Sequence, residues 1–123
     1  MTTPVFDASA LLAFVLGEPG ADVVDDALTD GGICGAANWS EIAQRVLAHE
    51  RNWDLVRALL LDSGVEVMSV DAADAEGAAQ RWRRGDGHSL ADRLCLELAD
   101  RLDAPVFTAD RAWGSDGRVR QIR

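Results

Sequence analysis

Short apolar runs alternate with stretches of helical spacing along the whole chain. Val5-Phe6 is a brief apolar run ending in Asp7, and Ala8 to Leu16 then reads as helix. Gly17-Glu18-Pro19-Gly20 breaks it, and Ala21 to Leu28 resumes a helical stripe through Val23, Val24, Ala27 and Leu28. Gly31-Gly32 precedes a short strand around Ile33-Cys34. Trp39 to Glu50 reads as helix, with Ile42, Ala43, Val46 and Leu47 on one stripe, and a further helix covers Leu55 to Leu61. Val65 to Val70 is the clearest strand, Asp71 to Arg84 a helix, and Gly85-Asp86-Gly87 a loop. Ser89 to Leu102 is a strong helix, with Leu90, Leu94, Leu98 and Leu102 at intervals of four. Pro105 to Thr108 reads as a strand and Val119 to Ile122 as a last edge strand. Strands separated by helices imply βαβ units and a mostly parallel, covered sheet, an α/β fold. Ligands of such sheets bind beyond the C-terminal strand ends, so the reactive residues placed there matter most.

Composition narrows the chemistry. At 123 residues, 48% apolar and 27% charged, the chain suits one globular domain, residues 1–123, with enough core to fold without staples. All 12 basic residues are Arg. With no Lys, a P-loop lacks its phosphate-binding amine and a Schiff-base enzyme its nucleophile. The net charge of −9 excludes a protein that coats nucleic acid through bulk charge. The first 80 residues hold 14 acids and three arginines, and the remaining 43 hold seven acids and nine arginines. Arg81, Arg83, Arg84 and Arg93 in that second part are candidate phosphate contacts, or else a solvated helix face. Cys34 and Cys95 have no metal-ligand spacing and sit among apolar residues, which marks them as core side chains. Trp39, Trp53, Trp82 and Trp113 read as core or interface anchors. The N-terminus lacks a basic start followed by a long apolar stretch, and no run approaches a membrane span, so a cytoplasmic, membrane-free chain is expected.

The acids carry the candidate chemistry. Val5-Phe6-Asp7 and Val106-Phe107-Thr108-Ala109-Asp110 are strand candidates that end in aspartate. Asn38-Trp39-Ser40-Glu41 and Ser89-Leu90-Ala91-Asp92 each place an acid three residues after a capping residue, the capping-box spacing. Taken singly, Glu41 and Asp92 are explained as helix caps. Taken together, helix N-termini and strand C-termini share one edge of a parallel sheet, so Asp7, Glu41, Asp92 and Asp110 can converge. Four carboxylates in one pocket repel one another, and hard divalent cations such as Mg²⁺ or Mn²⁺ relieve that repulsion. Such a site suits phosphodiester hydrolysis. Ser9 and Thr108 are placed to orient a carboxylate, or serve as local turn hydroxyls. Asp116-Gly117 reads first as a turn and second as a metal contact. His49 and His88 have no ligand partner in the sequence, and neither Ser9 nor Ser89 has a local His base.

These residues carry a resemblance. Val5 to Ala13 resembles the opening motif of the PIN-domain ribonucleases, and Glu41 matches their early-helix glutamate. Ser89 to Leu96 is similar to the third motif, and Thr108-Ala109-Asp110-Arg111-Ala112-Trp113 to the fourth. The ordered match spans nearly the whole chain and is closest to the VapC toxins of bacterial toxin–antitoxin pairs. The resemblance implies a three-layer α/β/α sandwich and a Mg²⁺- or Mn²⁺-dependent endoribonuclease. It implies Asp7, Glu41, Asp92 and Asp110 as metal ligands, a homodimer, a cognate antitoxin, and RNA substrates among which tRNAs figure. Ala112 stands where some relatives have a further acid, and Asp116 is the candidate replacement. Two other classes stay open: a catalytically weak interaction module whose acids are caps, and a DNA or flap-type nuclease.

Overall fold

The computed structural model describes residues 2–123. Strands β1 (Val5–Phe6), β2 (Gly32–Gly35), β3 (Val65–Met68), β4 (Val106–Thr108) and β5 (Val119–Gln121) form one sheet in the order β3-β2-β1-β4-β5. Every neighbouring pair is parallel. Six helices connect them: α1 (Ala8–Leu16), α2 (Ala21–Ala27), α3 (Ala36–Ala48), α4 (Trp53–Asp62), α5 (Ala72–Gln80) and α6 (Leu90–Arg101). Residues Arg111–Trp113 add a 3₁₀ turn. Among the described residues, no helix is long and apolar enough to cross a membrane.

The two-residue period of the strands sorts the core into two layers. Phe6 and Cys34 face a cluster built by α1, α2, α3 and α4, where Leu11, Val24, Ile42 and Leu60 are fully buried. Val5, Ile33 and Val106 point the other way, onto Cys95, Leu98 and Ala99 of α6. Helix α5 packs on α6. Burying each large apolar side chain contributes roughly 1.5–3 kcal/mol, so both layers rest on a few residues. In register, Phe6 faces Phe107 across β1 and β4, and their rings stack with centroids 5.3 Å apart. Gly32 admits that packing: a Cβ there would meet the Phe6 ring at 2.5 Å.

Two boundaries depart from the expectation by three residues or more. Helix α3 starts at Ala36 rather than Trp39, because β2 runs into it through an extended Gly35 with no side-chain cap. Asn38 is therefore inside the helix, and the expected Asn38–Glu41 capping box does not form. Helix α5 stops at Gln80 rather than Arg84, and Arg81 closes it with its guanidinium drawn to Glu97 and Asp100. The Ser89–Asp92 box is complete, with both reciprocal bonds made.

Candidate active site

Asp7 leaves β1 and caps α1, and its carboxylate is almost wholly occupied. Its Oδ1 accepts from the Ala10 N–H at 2.9 Å and the Ser9 hydroxyl at 2.7 Å. Its Oδ2 accepts from the Thr108 hydroxyl at 2.6 Å. Each hydroxyl has one hydrogen, and each gives it to Asp7. Their lone pairs face backbone donors instead: Ser9 Oγ accepts from Ala109 N–H at 2.8 Å and Thr108 Oγ1 from Asp110 N–H at 3.0 Å. The start of α1 and the end of β4 are thus tied through one carboxylate. Asp7 is 4% exposed. Burial pushes its pKa from the ordinary 3.8 up to about 6, with the hydrogen bonds from Thr108, Ala10 and Ser9 opposing and the nearby Asp92 charge adding a little.

Asp7 shares an open cavity of about 420 Å³ with Glu41, Asp92 and Asp110; Ser9, Gln44 and Arg45 also line it. Glu41 lies in the second turn of α3, and burial raises its pKa; a hydrogen bond from Asn38 opposes the shift and the Asp92 charge reinforces it. Asp92 sits in the first turn of α6, with Oδ2 accepting from Ser89 N–H at 2.9 Å. Asp110 caps the 3₁₀ turn through Ala112 N–H at 2.9 Å. Four acids from four separate stretches therefore surround one opening, and among the described residues no ion pair neutralises any of them.

That donor set suits a hard cation. All four acidic groups around the opening are carboxylates, and Asp92 already destabilises the charge of both Asp7 and Glu41. The soft alternative is closed: burial pushes the Cys34 thiol up to about 12 and the Cys95 thiol well above its usual range, so both stay protonated. Among the described residues, no three acids, histidines or cysteines are drawn together as a ready cage.

The expected supporting residues divide. Ser9 and Thr108 hold Asp7. Asp116 is exposed in the turn before β5, with its carbonyl accepting from Val119 N–H, and does not line the cavity. The arginines also lie outside the lining. Arg81 is paired with Glu97 and Asp100, Arg93 donates to the Ala78 carbonyl on α5 at 3.1 Å, and the Arg84 guanidinium lies over the Trp82 ring. Gln44 and Arg45 are additions to the expected set. Glu41, Gln44, Arg45 and Ala48 fall at i, i+3, i+4 and i+7, one helical stripe, and that spacing was the available signal.

Residues 5–115 match the PIN domain family. Ribonuclease VapC42 of Mycobacterium tuberculosis (strain H37Rv) is 35% identical over 114 residues, covering 84% of this chain and 87% of that protein. VapC ribonuclease Mb2780c of Mycobacterium bovis is equally similar over the same span. Among solved structures, a toxin–antitoxin complex from Klebsiella pneumoniae superposes with a TM-score of 0.81 at 16% identity, over 98% of both chains. A DNA-bound VapBC crystal structure from Salmonella typhimurium gives 0.72 at 19% identity, over the full length of both. These two structures share the fold.

Proposed function

The chain belongs to the PIN domain family, and from that premise we propose that it is a metal-dependent endoribonuclease, a VapC-type toxin neutralised by a cognate antitoxin. The observation that carries the reading is the convergence of Asp7, Glu41, Asp92 and Asp110 on one cavity with, among the described residues, no cation paired to any of them. The curated relatives are ribonucleases by name, and the structural neighbours include toxin–antitoxin complexes. RNA, with tRNAs among the candidates, is the substrate this supports. A homodimer is the assembly, and exposed Leu47, Leu55 and Leu59 offer apolar surface to a second subunit or to the antitoxin.

Asp7, Glu41, Asp92 and Asp110 are the residues that would hold Mg²⁺ or Mn²⁺. The chemistry such a cation supplies is Lewis-acid activation of a phosphodiester and of water at neutral pH. The chain's own contribution is placement. Ser9 and Thr108 fix both oxygens of Asp7, so that this carboxylate meets its partners in one orientation. Asn38 Nδ2 donates to Glu41 Oε1 at 3.2 Å and to the Ala91 carbonyl at 3.4 Å, which ties Glu41 to the helix carrying Asp92. The Ser89 cap holds Asp92 in the first turn of α6. Asp110 is steadied by its own turn and by Gln121, which donates to its carbonyl at 2.8 Å.

Cleavage of labelled RNA and single-stranded DNA, each with Mn²⁺, Mg²⁺ or EDTA, tests the reading. RNA cleavage in either metal, abolished by EDTA and reduced at least about 100-fold in Asp92→Asn, is the expected result. Undiminished cleavage in EDTA would remove the metal. No cleavage under any condition leaves an interaction module, and faster cleavage of DNA transfers the site to a DNA nuclease.

A further inference from the structure

Arg45 is the only cation lining the acid cavity among the described residues, and one of only three arginines in the first 80 positions. It is exposed and, among the described residues, forms no ion pair, although four carboxylates share its cavity. Its most obvious partner is Glu41, four residues earlier on the same helix. Glu before a cation at i,i+4 is the favourable orientation for a helical pair. The pair is not made because Glu41 turns back toward Asn38, three residues before it, whose amide donates to Oε1. Asn38 is 1% exposed and anchored to α6 through Ala91, so this diversion is built into the packing rather than left to a mobile side chain. The arginine is thereby kept apart from the acids beside it.

We propose that Arg45 is the phosphate-binding residue of this site, receiving a backbone phosphate neighbouring the one presented to the acids. The inference rests on the ribonuclease reading above and adds the group that sets strand register. Along α3, Arg45 lies about 6 Å beyond Glu41 at 1.5 Å per residue. A nucleic-acid strand lying along the cavity would meet the carboxylates at one phosphodiester and Arg45 at the next. The acid cluster repels a polyanion, and a guanidinium at its rim offsets that repulsion locally while offering a fork of donors to phosphate oxygens. Asn38 is in this account a positioning residue that keeps Glu41 and Arg45 from neutralising each other.

The test is equilibrium binding of a labelled single-stranded RNA across a salt series, with Mg²⁺ and with EDTA, in an Asp7→Asn parent that does not consume the probe. Adding Arg45→Ala should weaken binding on the order of tenfold and flatten the log affinity against log salt slope by about one. Arg45→Lys, which keeps the charge, should retain the parent's slope. The melting temperature of Arg45→Ala should equal the parent's, since no partner is lost. An Arg45→Ala slope identical to the parent's overturns the proposal while leaving the ribonuclease reading in place. A parent that binds no RNA in either condition overturns that reading, and Arg45's role with it.

Discussion

Two helices of this protein begin with the same local motif and put it to different use. At the start of α5, Asp71 and Asp74 form a capping box; at the start of α6, Ser89 and Asp92 form another, with matching reciprocal bonds. Asp74 is buried and met by the Arg101 guanidinium at 3.1 Å. Asp92 has no cation, and its charge instead raises the pKa of Asp7 and Glu41. The arginines follow the first pattern: Arg81, Arg101 and Arg118 are spent on Asp74, Glu97, Asp100 and Asp103 around α5 and α6. Capping geometry is therefore no sign of function or of its absence. What separates the two carboxylates is whether the fold has given each a counter-charge, and the proposed site takes the one without.

The sharpest way to break that comparison is pH. Asp7 has a folded pKa of about 6 against an ordinary 3.8, so the folded state holds more protons than the unfolded chain across that window. Its contribution to stability is then fully present below about pH 4 and lost as pH rises through 6, a loss of roughly 3 kcal/mol. Urea melts of metal-free protein at pH 4 and pH 7 should show it. Asp7→Asn should flatten the difference, and an unchanged pH dependence in that variant would show that Asp7 is not strained.

A smaller effect separates the two capping boxes. Asp92→Asn and Asp74→Asn both keep an oxygen for the cap, so they differ mainly in charge. Asp74→Asn strips Arg101 of its partner and should lower stability by about 1 kcal/mol, with RNA cleavage intact. Asp92→Asn should be neutral or slightly stabilising in EDTA, and Mn²⁺ should raise its melting temperature less than the wild type's. If both variants melt lower by the same amount in EDTA and respond equally to Mn²⁺, the contrast between them is gone.

The smallest effect is expected within the neutralised region itself. Arg118 donates to Asp100 at 2.8 Å and Asp103 at 2.6 Å across an exposed surface. Arg118→Ala should leave the melting temperature and RNA cleavage indistinguishable from wild type, because exposed pairs contribute little. A clear drop in melting temperature would mean that this network carries more of the fold than its exposure suggests.

The contrast also marks how far the sequence could be read. Strand ends and helix starts are local patterns, so Asp7, Glu41, Asp92 and Asp110 could all be expected at one sheet edge from spacing alone. Glu41 arrives at the same edge by a different route. Its three-residue spacing from Asn38 resembled a capping box, whereas Gly35 lets β2 pass directly into α3 and buries Asn38 against α6. Arg45 was hidden for the same reason, since its place in the cavity depends on where α3 begins. Arg81 and Arg93 looked like free cations because their partners, Glu97, Asp100 and the Ala78 carbonyl, are contributed by packing of α5 on α6. Periodicity reveals which face a residue occupies, and only tertiary contact reveals whether its charge is already taken.

The knot at Asp7 also bears on when the protein can begin to act. Ser9 and Thr108 meet the same carboxylate although they are 99 positions apart in sequence. β1 sits at the centre of the sheet and pairs with β4, a strand about 100 residues further along the chain. Contacts of such long sequence separation form late, after their loop-closure entropy has been met. A chain still emerging from the ribosome lacks Thr108, the backbone donors of Ala109 and Asp110, and the Asp110 carboxylate itself. Its first strand can carry Asp7, but nothing holds that side chain in place. Topology thus sets an order of events: the four acids cannot share one cavity until the chain has been made through Asp110.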